Sequence, residues 1–174
     1  MNFYEMSTLT ESSKHLPLIL RGLAAEAKKC QTFEEFEKDY VQQIKHGLYW
    51  HWTDDPNFQI DPAKGPRDMS SMANGKIDAG KLMITTHLRY WDSYGGVNGE
   101  GRPYVAIIDM SEVPREMYKQ VNRGFGNEFW VADPSRAKVV KVVNRKQAFR
   151  IDKEQSCYLP GSRVALEEFY DEHH

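Results

Sequence analysis

The residues with chemical potential in this chain fall in three short segments. His51 and Thr53 lie two apart in the run Leu48-Tyr49-Trp50-His51-Trp52-Thr53, closed by the turn Asp54-Asp55-Pro56-Asn57. Side chains two apart on a strand share a face, so this imidazole and this hydroxyl can reach one ligand. Glu128 sits in Gly126-Asn127-Glu128-Phe129-Trp130-Val131. A carboxylate in an apolar strand is costly unless it is paired or opens on a cleft, where it can stabilise positive charge on a substrate. The third segment, Gly80-Lys81-Leu82-Met83-Ile84-Thr85-Thr86, sets two threonines in a strand and is followed by Trp91 and Tyr94. Each residue also has a structural reading. A histidine in an aromatic strand can be a core residue bonded to a backbone carbonyl, threonines are ordinary strand formers, and Tyr94 can simply pack a short helix on a sheet.

Other chemistries find less footing. No glycine-rich loop has phosphate-loop spacing followed by Lys-Ser/Thr, and Gly95-Gly96-Val97-Asn98-Gly99 leads into no helix. His46 and His51 straddle a helix stop and His173-His174 are terminal, so we expect no metal site. Cys30 and Cys157 lie far apart with no nucleophile pattern around them, which predicts free thiols and a reducing, cytoplasmic location. No apolar run is long enough for a membrane span, and the amino terminus lacks the order of a signal peptide. A formal charge of -2 gives no global reason to expect nucleic-acid binding.

The elements that must position these residues are legible in outline. Pro17 and the stripe Leu18, Ile19, Leu23, Ala24, Ala27 predict a helix ending near Lys28-Lys29. Thr32 with Glu35 forms a capping-box pattern ahead of Phe33, Phe36, Tyr40, Val41 and Ile44, a second helix running to His46-Gly47. Strands follow over 48–53, 80–86, 104–108, 128–132 and 138–143, with a short helix over 87–94 and a carboxyl-terminal helix over 162–170. Residues 54–79 read as a long irregular segment, and Asp133-Pro134-Ser135 as a turn. Helices first and strands later predict a single α+β domain over 1–174 with a mainly antiparallel sheet: a helical amino-terminal part over 1–47, a core over 48–151 and an extension over 152–174.

Taken together, the three segments resemble the ADP-ribosyltransferase superfamily, in the diphtheria-toxin and poly(ADP-ribose) polymerase branch that places a histidine, a tyrosine and a glutamate on successive core strands. His51-Trp52-Thr53 is similar to that branch's His-Gly-Thr/Ser strand. Gly80 to Thr86 with Trp91 and Tyr94 resembles its glycine-led strand and tyrosine-bearing helix, and Asn127 to Val131 its glutamate strand. The resemblance covers 48–143. It implies a split antiparallel sheet and NAD+ as substrate, with Glu128 stabilising the oxocarbenium character that develops on the ribose. It further implies that His51 anchors NAD, Thr53 supports that strand, the backbone around Trp52 holds the nicotinamide amide, and Tyr94 stacks on the ring. Thr85 and Thr86 would line the pocket. Arg67 has a guanidinium fork suited to the pyrophosphate, or is a solvated loop residue. The acceptor would be a protein or nucleic acid met through Arg123 and Phe125.

The chain departs from that pattern at three places. Trp52 replaces a glycine, Met83 or Ile84 stands at the first tyrosine position, and Gly126 occupies the site where arginine-specific transferases carry a glutamate. The expected activity is transfer of ADP-ribose to a macromolecule, as in a toxin, a phage effector or a regulatory enzyme. The alternatives are an NAD glycohydrolase on the same fold and a non-catalytic binding module.

Overall fold

A computed structural model describes residues 16–44, 48–63, 81–88, 102–120 and 128–174. Helix α1 (Leu18–Ala27) begins after Pro17 and buries Ile19, Leu23, Ala24 and Ala27, the stripe expected from spacing. Glu26 is buried with them. Helix α2 (Phe33–Asp39) starts at Thr32, whose Oγ1 accepts from the Glu35 amide at 3.2 Å. Glu35 reaches back to the amide of Gln31 rather than of Thr32, at 2.9 Å, so the capping box is shifted by one residue. The helix then widens into one π-helical turn, Tyr40–Ile44.

Among the described residues six strands follow: β1 (Tyr49–Thr53), β2 (Leu82–Thr85), β3 (Tyr104–Asp109), β4 (Tyr118–Gln120), β5 (Glu128–Val131) and β6 (Lys138–Asn144). They form one antiparallel sheet in the order β4-β5-β2-β1-β3-β6. The three-residue β4, led in by a 3-10 turn at Arg115–Met117, escapes the sequence reading because it is too short to show alternation. Two helices close the chain, α3 (Arg145–Ser156) and α4 (Arg163–His173). Helix α3 is also absent from the sequence reading, and it crosses the boundary expected after residue 151. Its start is set by a reciprocal capping box between Asn144 and Gln147.

Alternation along the strands makes two cores. On one face Tyr49, Ile84, Ala106, Ile108, Phe129 and Val131 pack under α1, α2 and α4 through Leu23, Phe33, Phe36, Leu166 and Tyr170. On the other, Trp50, Trp52, Val105 and Ile107 pack with Ile19, Leu48, Leu88 and Ala148, the last from α3. Trp50 is fully buried. An aromatic of that size removes about 200 Å² from water, on the order of 5 kcal/mol of favourable transfer.

The sheet is not evenly knit. Strand β1 pairs with β3 along its whole length, Tyr49↔Ile108 to Thr53↔Tyr104, but with β2 only at Trp50↔Thr85. Beyond Trp50 no further register pair joins β1 and β2, although all six strands belong to one sheet.

A buried ionic cluster ties the first half to the helices. Glu26 accepts from Lys29 at 3.0 Å, from Arg115 at 3.1 Å and from the Tyr118 hydroxyl at 2.8 Å, and Arg115 also meets Asp39 at 2.7 Å. Burial raises the Asp39 carboxyl above its ordinary range against the opposing pull of Arg115. Burial, then the Glu26 charge, likewise raises the Tyr118 phenol. The cluster fixes the root of β4, and through it the flank of β5 on which Glu128 sits.

Candidate active site

Glu128 opens β5. Its register partner on β2 is Thr85, and the partner of Thr85 on β1 is Trp50. Directly opposed residues of an antiparallel ladder project to the same face, so Glu128, Thr85 and Trp50 form one transverse row, roughly 10 Å from end to end at two strand spacings. Glu128 is 6% exposed. Among the described residues it has no hydrogen-bond or ion-pair partner, and burial pushes its carboxyl up to about 7. Its charge therefore changes near neutrality, and nothing around it in the described structure opposes the cost of ionising it.

His51 follows the one register pair that joins β1 to β2. Its Nδ1 is 2.7 Å from the carbonyl oxygen of Met83 on β2. A carbonyl only accepts, so Nδ1 carries the hydrogen, and the imidazole adds one side-chain bond between the two strands. Its ring stacks on Phe58 at 4.5 Å with 26° between planes, leaving the residue 8% exposed.

The chain after β1 delivers Phe58 to that position by a relay of local bonds. The Asp55 amide donates to Thr53 Oγ1 at 3.1 Å, the Asn57 amide to Asp55 Oδ1 at 2.8 Å, and the Phe58 amide to the Asp55 carbonyl at 3.2 Å. Hydroxyl and carboxylate turns of this type are what Thr-Asp-Asp-Pro-Asn encodes. Thr53 is thereby occupied in ending its strand. Thr85 does the same for β2, its Oγ1 accepting from the His87 amide at 3.1 Å. Thr86, beside it, is buried.

The backbone of Trp52 is partly engaged as well, its carbonyl accepting from Arg102 Nη1 at 2.8 Å. Arg145 lies over the Trp52 ring at 5.8 Å. The indole N–H groups of both Trp50 and Trp52 are buried with no hydrogen-bond partner among the described residues.

Of the residues singled out from sequence, the structure brings His51 together with Thr53, as their spacing predicts, and Glu128 together with Thr85. The two pairs lie on opposite faces. His51 is in register with Ala106 and flanked by Trp50, which points the way Glu128 does. Tyr94, Arg67, Arg123 and Phe125 lie outside the described residues. Sequence reasoning missed Phe58 and Arg102. The Thr53-to-Asn57 turn was the available signal for Phe58, whereas nothing local marked Arg102 as reaching back to β1.

The Cys30 thiol is buried, and burial pushes it up to about 12, so it is protonated at neutral pH. Among the described residues no group of three or more His, Cys, Asp or Glu side chains is arranged to hold a metal ion, and no helix is long and apolar enough to cross a membrane. No family model, curated protein or solved structure matches this chain.

Proposed function

We propose that the chain is an NAD-dependent ADP-ribosyltransferase on an ADP-ribosyltransferase-like split sheet, with Glu128 as its catalytic carboxylate. The observation that carries this reading is Glu128 itself: a buried acid at the start of β5 with no hydrogen-bond or ion-pair partner among the described residues, in the row that runs through Thr85 to Trp50. Folded chains rarely retain such a group without a use for it, because a neutral side chain there costs less. Breaking the bond between nicotinamide and ribose develops positive charge on the sugar, and an ionised carboxylate held in a low-dielectric site stabilises that charge strongly.

The opposite facing of His51 is compatible with this chemistry. Beyond the Trp50↔Thr85 pair, a ligand lodged between β1 and β2 meets groups from either face. His51 follows Trp50 there, with the backbone of Trp52 and Thr53 beyond it. In this reading His51 anchors NAD between the two strands and Tyr94 stacks on the nicotinamide. The acceptor is a protein or nucleic acid.

The test is incubation with NAD labelled on its adenosine side and a cell lysate, comparing the wild type with Glu128→Gln. Macromolecular label should fall by roughly a hundredfold or more in the variant, the scale of losing one preorganised electrostatic group. Equal labelling by the two proteins sinks the assignment. Label recovered only as free ADP-ribose identifies a glycohydrolase instead.

One observation favours a second reading, a non-catalytic binding module. His51 is stacked under Phe58, and the Thr53 and Thr85 hydroxyls each accept a turn amide, so three of the resemblance's positions already have structural roles. Calorimetry separates the two: neither heat of NAD binding nor turnover leaves only the module.

A further inference from the structure

The row that begins at Glu128 continues through Trp50 and Ile107 to Lys141 on β6, the last strand of the sheet. There the start of α1, β6 and α3 enclose a groove of about 430 Å³. Its lining is mixed, with the aliphatic Leu18, Val140, Val143 and Ile151 beside Gln147 and Gln155. The same lining carries Arg21, Lys141 and Arg150 against one acid, Glu154, whose carboxylate lies 3.6 Å from Arg150 Nε. Among the described residues neither Arg21 nor Lys141 has a carboxylate partner. Three cations and one anion leave a local charge of +2 on a chain whose formal net charge is -2, so this patch runs against the whole.

The form of β6 narrows what can sit here. The pairing with β3 passes from Ile108↔Val139 to Ile107↔Lys141, leaving Val140 as a bulge that is 42% exposed. A bulge and lysines on an edge strand obstruct addition of another strand, so an occupant engages side chains in the groove rather than the backbone edge. Among the described residues no aromatic ring lines the groove, so it offers no stacking platform of the kind that binds single-stranded nucleic acid. Aliphatic side chains set among an excess of cations are instead the complement of a helix with one apolar and one acidic face.

We propose that this groove docks an acidic amphipathic segment of a partner protein, its aliphatic side chains on Leu18, Val140, Val143 and Ile151 and its carboxylates on Arg21, Lys141 and Arg150. The site is independent of NAD cleavage and stands whether or not Glu128 is catalytic.

The experiment is fluorescence anisotropy with a labelled Leu/Glu amphipathic peptide, its Leu/Lys counterpart and a short single-stranded oligonucleotide, each added to the full chain. The Leu/Glu peptide should bind, weaken as salt rises, and lose at least tenfold in affinity to Arg21→Glu and to Lys141→Glu, two exposed positions that leave both cores intact. Methyl resonances of Val143 and Ile151 in the wild type should shift on binding. Tighter binding of the oligonucleotide than of the peptide overturns the proposal, as does peptide binding indifferent to both substitutions. Self-association in sedimentation that Lys141→Glu abolishes also overturns it, making the occupant a second copy of the chain.

Discussion

Replacing Glu128 by Gln should make the protein gain stability relative to the wild type as pH rises from about 4.5 to about 7. In the folded chain burial holds this carboxyl at about 7, against an ordinary value of 4.5. Below the lower value both folded and unfolded chains are protonated, and the acid behaves much as the amide does. Between the two values the unfolded chain releases its proton while the folded chain keeps it, so stability falls as pH rises. Above about 7 both states are ionised and the full cost of the buried charge persists. At 1.36 kcal/mol per pH unit the cost is about 3 kcal/mol.

The glutamine carries no such cost, although it must satisfy an amide in the same place. Its stability relative to the wild type should therefore rise by about 3 kcal/mol between pH 4.5 and pH 8, whatever constant offset the amide introduces. For a chain of 174 residues this corresponds to a relative gain in Tm of roughly 6–12 °C. Thermal or urea unfolding at closely spaced pH values across that range measures it. A difference between variant and wild type that stays constant with pH would refute the reasoning, because it would mean that the carboxylate is solvated or paired in the folded chain.

Three further outcomes follow from named contacts. If Glu128 works as a carboxylate, NAD turnover should climb about tenfold per pH unit below about 7 and level off above it; a rate flat from pH 5.5 to 8.5 contradicts that role. Glu26→Ala leaves Arg115, Lys29 and the Tyr118 hydroxyl without their shared acceptor, and should cost about 3–5 kcal/mol in urea unfolding at neutral pH, where a loss below 1 kcal/mol would show the cluster to be solvated. Phe58→Ala removes the ring stacked on His51 and should expose the imidazole, so acylation of His51 by diethyl pyrocarbonate, read by mass spectrometry, should run several times faster than in the wild type. An unchanged rate would mean that something other than Phe58 shields the ring.

What the chain discloses in advance, and what it conceals, divides along a physical line. Helix α1, α4 and the strands over 104–109 and 138–144 are written in local periods and caps: Pro17 and its stripe, Ser162 accepting from the Ala165 amide, and the apolar run before Asp109. Helix α3 is concealed because Arg145 to Ser156 buries only Ala148 fully, so its apolar face is too thin to show a period. The candidate site divides in the same way. That His51 and Thr53 share a face is a property of one strand and can be counted from sequence. That Glu128 stands in the row of Trp50 depends on the register of β2 against both neighbours, and a slip of one residue would have placed it with His51 instead. Glu26 offered a warning of the kind that sequence can give, an acid three residues after Leu23 on the apolar stripe of α1. Its partners Arg115 and Tyr118 arrive from some ninety residues away, at separations of 89 and 92. The same holds for the pairing of β1 with β2, limited to Trp50↔Thr85. Its cause lies in no single residue, yet it decides whether His51 and Glu128 can serve one ligand.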